Sequence, residues 1–151
     1  MVELPADLRV RNYAGGSCVW ASLGTLGNWL ELEGLAELNR EVSGGAWPDR
    51  VRRVLNAKNI DYVMEERGRP AFLDRALATR RGAAVTWHGA HMVTLVYLDD
   101  SIAGLVDNNR PSHVIWQPRQ EFLEEWRRCG GWAVTLVYTP PPPKPIVRRT
   151  P

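Results

Sequence analysis

Cys18 follows the stretch Tyr13-Ala14-Gly15-Gly16-Ser17 and precedes a helix-forming run, Val19-Trp20-Ala21-Ser22. A thiol in that setting can be a nucleophile. The first N–H groups of a helix have no partner inside it and carry partial positive charge, which favours thiolate over thiol. Thiolate is the reactive form, and helix N-termini are among the places where cysteine titrates well below its free range. The two glycines permit a tight backbone turn that presents the sulfur at the mouth of a cleft. Acyl transfer through such a sulfur also needs a base, an orienter for the base and donors for the developing oxyanion. His88 and His91 both stand ahead of an apolar run and compete for the role of base. Asp99-Asp100-Ser101 is hairpin-turn chemistry between two strand-like runs. A turn centred near Asp99 sets His91 across from Asp107, within a residue or two of register, which admits Asn108 and Asn109 as well. A carboxylate there would fix the imidazole tautomer.

Each of these residues has a plainer structural reading. Cys18 could be a buried free cysteine, His91 a hydrogen-bonded core histidine, Asp107 a turn-former and Asn12 a brace for its own loop. Cys129, at a helix end before Gly130-Gly131, reads as a bystander. A metal site from His88, His91 and Cys18 or His113 lacks paired Cys-x-x-Cys or His-Glu-x-x-His spacing. No metal or cofactor is expected.

The elements that must position these groups are legible in the periodicity. Val19, Leu23, Leu26 and Leu30, widened by Trp20 and Trp29, predict a helix from Ser17 or Cys18 to Leu32, stopped by Gly34. Short helices are predicted over 35–42 and from Trp47-Pro48-Asp49 onward, where proline suits a first turn. A strand over 60–64 and a helix over 70–80 follow. From Ala83 the pattern changes to strands, over 83–87, 92–98 and 102–107. Pro118 opens a helix to Arg128, and 132–138 reads as the last strand. Helices first and an antiparallel sheet second is an α+β layout.

Several segments resemble a known family. Gly16-Ser17-Cys18-Val19-Trp20-Ala21 resembles the nucleophile segment of papain-like cysteine peptidases. Gly89-Ala90-His91-Met92-Val93-Thr94-Leu95-Val96 resembles the Gly-x-His strand of its compact branch, the bacteriocin-processing, double-glycine-leader peptidases. Leu105-Val106-Asp107-Asn108 is similar to that branch's next strand ending in an acid, and 120–126 to the helix before its last strand. The resemblance spans Asn12 to Tyr138. It implies an α+β papain-like fold, with the nucleophile at a helix N-terminus and the helical part packed on the C-terminal antiparallel sheet. It also implies a Cys18-His91-Asp107 triad acting on a peptide or isopeptide bond. Asn12 stands where the family usually has the glutamine of the oxyanion hole and is one methylene shorter. The implied oxyanion donors are the Cys18 backbone N–H and the Asn12 amide. Leader cleavage is not carried over, because the chain has no transporter part. The alternative is a peptidase-like domain, weak or inactive, that serves as a binding or assembly module.

The 151 residues amount to one domain, with 44% hydrophobic and 24% charged residues. A net charge of +2, with 19 basic residues scattered among 17 acids, lacks the footprint of a nucleic-acid binder. Two cysteines build no disulfide framework and point to a reducing compartment, so a cytoplasmic location is expected. Neither a signal peptide nor a membrane span is visible. The peptidase-like domain is assigned to 1–138. Residues 139–151 are a proline-rich arm, since proline donates no ladder hydrogen bond. The arm reads as a tail, with a docking peptide for a protein partner as the alternative.

Overall fold

A computed structural model of the chain describes residues 4–12, 17–42 and 45–137. Gly15, Gly16 and the proline-rich arm lie outside the described residues. A 3-10 turn at Ala6–Leu8 leads to α1 (Cys18–Trp29), α2 (Leu38–Glu41), α3 (Pro48–Ala57), β1 (Tyr62–Glu65) and α4 (Pro70–Ala78). There follow β2 (Ala83–Trp87), β3 (His91–Leu98), β4 (Ile102–Val106), β5 (Val114–Pro118), α5 (Arg119–Arg128) and β6 (Ala133–Leu136). The six strands form one antiparallel sheet in the order β1-β6-β2-β3-β4-β5. The α+β architecture is as the sequence predicts.

Helices cover both faces of this sheet. On one face α1 packs with Leu35, Leu38 and α3 against Ala84, Met92, Val106 and Val134. On the other, α4 and α5 set Leu73, Phe122 and Trp126 against Val85, Val93 and Leu105. That explains why β3 reads as a continuous apolar run rather than an alternating one: residues Met92 to Val96 are buried on whichever face they meet. α1 is buried on nearly every side, Asn28 excepted, because it lies between the sheet and the segment that carries Leu35 and Leu38.

Several bounds and one element differ from expectation. The first helix ends at Trp29, because Glu31 takes a left-handed φ of +56° and the chain closes a Schellman-type cap. The Leu32 N–H donates to Gly27 O at 2.8 Å, and the Glu31 N–H to Asn28 O at 3.3 Å. The usual glycine is absent from that cap, so the stop is invisible in sequence. The second helix shrinks to Leu38–Glu41. Finally, β5 goes unpredicted, because Val114-Ile115-Trp116 is short and ends in a proline that only an edge strand tolerates.

Two glycines of α1 allow the returning chain to cross it closely. A methyl at Gly27 would run into Leu35 Cβ and lie 2.8 Å from Leu35 Cδ1, and one at Gly24 would lie 3.1 Å from Leu35 O. Alanine in a helix normally gains about 1 kcal/mol over glycine. At Gly27 overpacking costs about 1–3 kcal/mol and outweighs it. Gly27→Ala is therefore expected to lower the melting temperature; a rise in thermal unfolding would show spare room under Leu35.

Candidate active site

Cys18 is the first residue of α1, as expected, and Ser17 stands at the N-cap position without a side-chain cap hydrogen bond. The sulfur lies where the helix tip meets the start of β3, and Cys18 is only 8% exposed. His91 opens β3, and Asp107 follows directly after β4. The β3–β4 ladder pairs Thr94 with Val106 and Leu95 with Leu105, then shifts by one residue at a bulge before Tyr97. Continued toward the site, that register sets Asp107 beside Val93 rather than directly opposite His91. The imidazole thus reaches the carboxylate diagonally, one same-face step away.

His91 Nε2 lies 2.8 Å from Asp107 Oδ1. An ionised carboxylate only accepts, so Nε2 carries the proton and Nδ1 is left for the sulfur. The Asn109 N–H also donates to Asp107 Oδ1, at 3.0 Å, which holds the carboxylate in place. Burial pushes the Cys18 thiol up, but its hydrogen bond with His91, the Met92 N–H, the imidazole charge and the Val19 N–H together bring it below its ordinary range. His91 is raised, first by its hydrogen bond with Cys18 and then, against burial, by Asp107. A thiol moved down and an imidazole moved up favour the thiolate–imidazolium pair.

Asn108 does not orient the histidine. It is 2% exposed, and its Nδ2 donates to Cys18 O at 3.2 Å, Ser22 Oγ at 3.0 Å and Met92 O at 2.8 Å. One amide thereby ties the first turn of α1 to the start of β3. Ser22 repeats the tie, donating from Oγ to Met92 O at 3.2 Å. Sequence reasoning missed this brace. Its one available signal was that Ser22 lies four residues after Cys18, on the same helical face.

Asn12 is brought to the same place. Its N–H donates to Asn108 O at 2.7 Å, its Nδ2 to Asn109 Oδ1 at 3.0 Å, and its Oδ1 accepts from Ser17 Oγ. One amide proton is thus engaged with Asn109. His88 sits in the turn before β3 with φ +51°, its ring tilted by 56° against that of Trp87 at 3.7 Å between ring centroids. Cys129 is more than a neighbour in sequence to α5: its Sγ accepts from the Gly89 N–H at 3.1 Å, inside the turn that leads to His91. Among the described residues no cluster of three His, Cys, Asp or Glu could hold a metal ion. None of the described helices is long and apolar enough to cross a membrane.

No protein family and no curated protein matches the chain in sequence. Among solved structures, the fold matches a crystal structure of a "putative C39-like peptidase" from Bacillus anthracis. The TM-score is 0.64 at 12% identity, over 91% of this chain and 98% of that one. The likeness is one of fold, and it extends over almost all of both chains.

Proposed function

We propose that the chain is a papain-like thiol hydrolase that cleaves a peptide or isopeptide bond through a Cys18 acyl-enzyme. The observation that carries this reading is the single imidazole of His91, held by Asp107 at 2.8 Å and close enough to the Cys18 thiol to lower it while being raised in turn. The likeness in fold to the Bacillus anthracis protein supports the peptidase class.

The proposed reaction uses these groups in turn. The Cys18 thiolate attacks the carbonyl carbon, and the carbonyl π electrons move onto oxygen. The Cys18 N–H, at the helix tip, and the second proton of the Asn12 amide are the donors for that oxyanion. Collapse of the adduct breaks the C–N bond as imidazolium His91 gives its proton to the leaving amine. Water then attacks the thioester, His91 accepts its proton, the C–S bond breaks, and Cys18 leaves as thiolate. An amine in place of water would make the same residues a transferase.

A second reading rests on Asn12. With its amide tied to Asn109 and its oxygen to Ser17, the oxyanion site is left with little beyond backbone, which favours a peptidase-like domain used for binding or assembly. Alkylation of Cys18 by iodoacetamide, followed by mass spectrometry across pH, separates the two. Under the hydrolase reading, labelling stays fast well below the ordinary thiol range near 9.0 and falls only as the pair takes up a proton. Labelling that tracks a free thiol supports the module instead.

A further inference from the structure

A concavity lies away from the sulfur, on the opposite face of the sheet. Side chains alternate along a strand, so Val63 and Glu65 of β1, with Thr135 and Val137 on and beyond β6, face the α4 side, while Tyr62, Met64, Val134 and Leu136 join the core under α1. α4 leaves this outer part of the sheet uncovered. The result is a groove of about 690 Å³ whose floor includes Val63, Phe72, Ala76 and Val137. Val63 is 49% exposed and contributes apolar surface to the groove.

The rim is cationic. Arg69, Arg75 and Arg81 all line the groove, and its one acid is Glu65. Glu65 is 3% exposed and already engaged, by Arg69 Nε at 2.9 Å and the Arg67 N–H at 2.6 Å. Asp74, next to Arg75 on α4, is turned to Arg119 at 2.6 Å. Among the described residues, then, no carboxylate pairs with the exposed Arg75. Beside the groove, β1 is an edge of the sheet and, among the described residues, pairs with β6 alone. Its outer backbone groups suit an extended chain rather than a compact ligand. The chain's own arm, 139–151, carries Lys144, Arg148 and Arg149 and no acid, so like charge disfavours it as the occupant.

We propose that this groove is a docking site for an extended protein segment in which apolar side chains are interspersed with carboxylates. The apolar groups fill the floor, and a carboxylate meets Arg75 in a charge-assisted pair within the positive field of the rim. The site is a surface separate from the sulfur and does not depend on Cys18.

Fluorescence anisotropy with a fluorescein-labelled hexapeptide of alternating leucine and glutamate tests it on the full chain. The peptide is expected to bind, and Cys18→Ala to bind it equally. Arg75→Glu should weaken it by about tenfold or more, and Ala71→Trp, at an exposed position on the wall, should block it. Cys18 alkylation and thermal unfolding report that both variants remain folded. Equal binding of a leucine–lysine peptide, binding unaltered by both groove variants, or displacement of the peptide by laurate at far lower concentration would each overturn the proposal. Loss of the triad reading would leave these binding results unchanged, so the two fail separately.

Discussion

His91→Ala is expected to lower peptide hydrolysis by roughly 10³–10⁴-fold or more and to move alkylation of Cys18 to higher pH. Both effects have one cause. The His91 hydrogen bond is the largest of the influences that lower the Cys18 thiol, and its charge is another. Without them burial, which raises the thiol, is opposed only by the Met92 and Val19 N–H groups. The thiolate fraction at neutral pH drops, and no group remains to protonate the leaving amine. Cys18→Ala should abolish hydrolysis to background, and adding His91→Ala to it should cost nothing further, because the two act as a unit. An alkylation profile that stays put in His91→Ala would sink the thiolate–imidazolium pair.

The second large effect falls on stability. Asn108 points two amide hydrogens into a pocket of three oxygens, Cys18 O, Ser22 Oγ and Met92 O. Asn108→Asp replaces that donor by a carboxylate facing acceptors in a site that is 2% exposed. An uncompensated buried charge costs about 3–5 kcal/mol at neutral pH, whereas Asn108→Ala forfeits only hydrogen bonds, about 1–3 kcal/mol. The sign of the pH dependence follows. The new carboxyl titrates higher folded than unfolded, so the folded state holds its proton longer and stability falls as pH rises above about 4. Urea unfolding at pH 4 and pH 7 checks this: the deficit of Asn108→Asp should shrink at the lower pH, and that of Asn108→Ala should not. A pH-independent deficit in both would mean that the amide does not stand where three acceptors meet.

The wild-type linkage runs by the same logic in opposite senses for the two partners. His91, raised when folded, contributes stability that is complete below its unfolded range and is lost as pH rises through its folded one. Cys18, lowered when folded, contributes above its unfolded range and loses that contribution as pH falls through its folded one.

Much of the chain was legible before any coordinates. Prolines at the first turns of α3 and α4 mark where those helices begin. The apolar runs of β2, β3 and β4 locate the strands, and the Asp99 turn, donated to by the Ser101 and Ile102 N–H groups at 2.7 and 2.8 Å, brings His91 and Asp107 within one step of each other. These are local signals, set by residues close in sequence, and local chemistry writes itself into composition and spacing. The cap at Glu31 escaped because glutamate takes the left-handed position where glycine is usual, and β5 because its short run ends in a proline.

By itself, then, the order of residues determined a cysteine at a helix start, a hairpin joining a histidine to an acid, and an α+β chain to carry them. What only the tertiary structure decided is that helix and hairpin meet. That meeting depends on a sheet buried on both faces, on glycines that admit Leu35 against α1, and on the Asn108 amide spanning ninety residues of chain to Cys18 O. Such contacts join segments with no shared periodicity, so packing and hydrogen-bond satisfaction across the whole core select them, and no stretch of sequence read alone contains them.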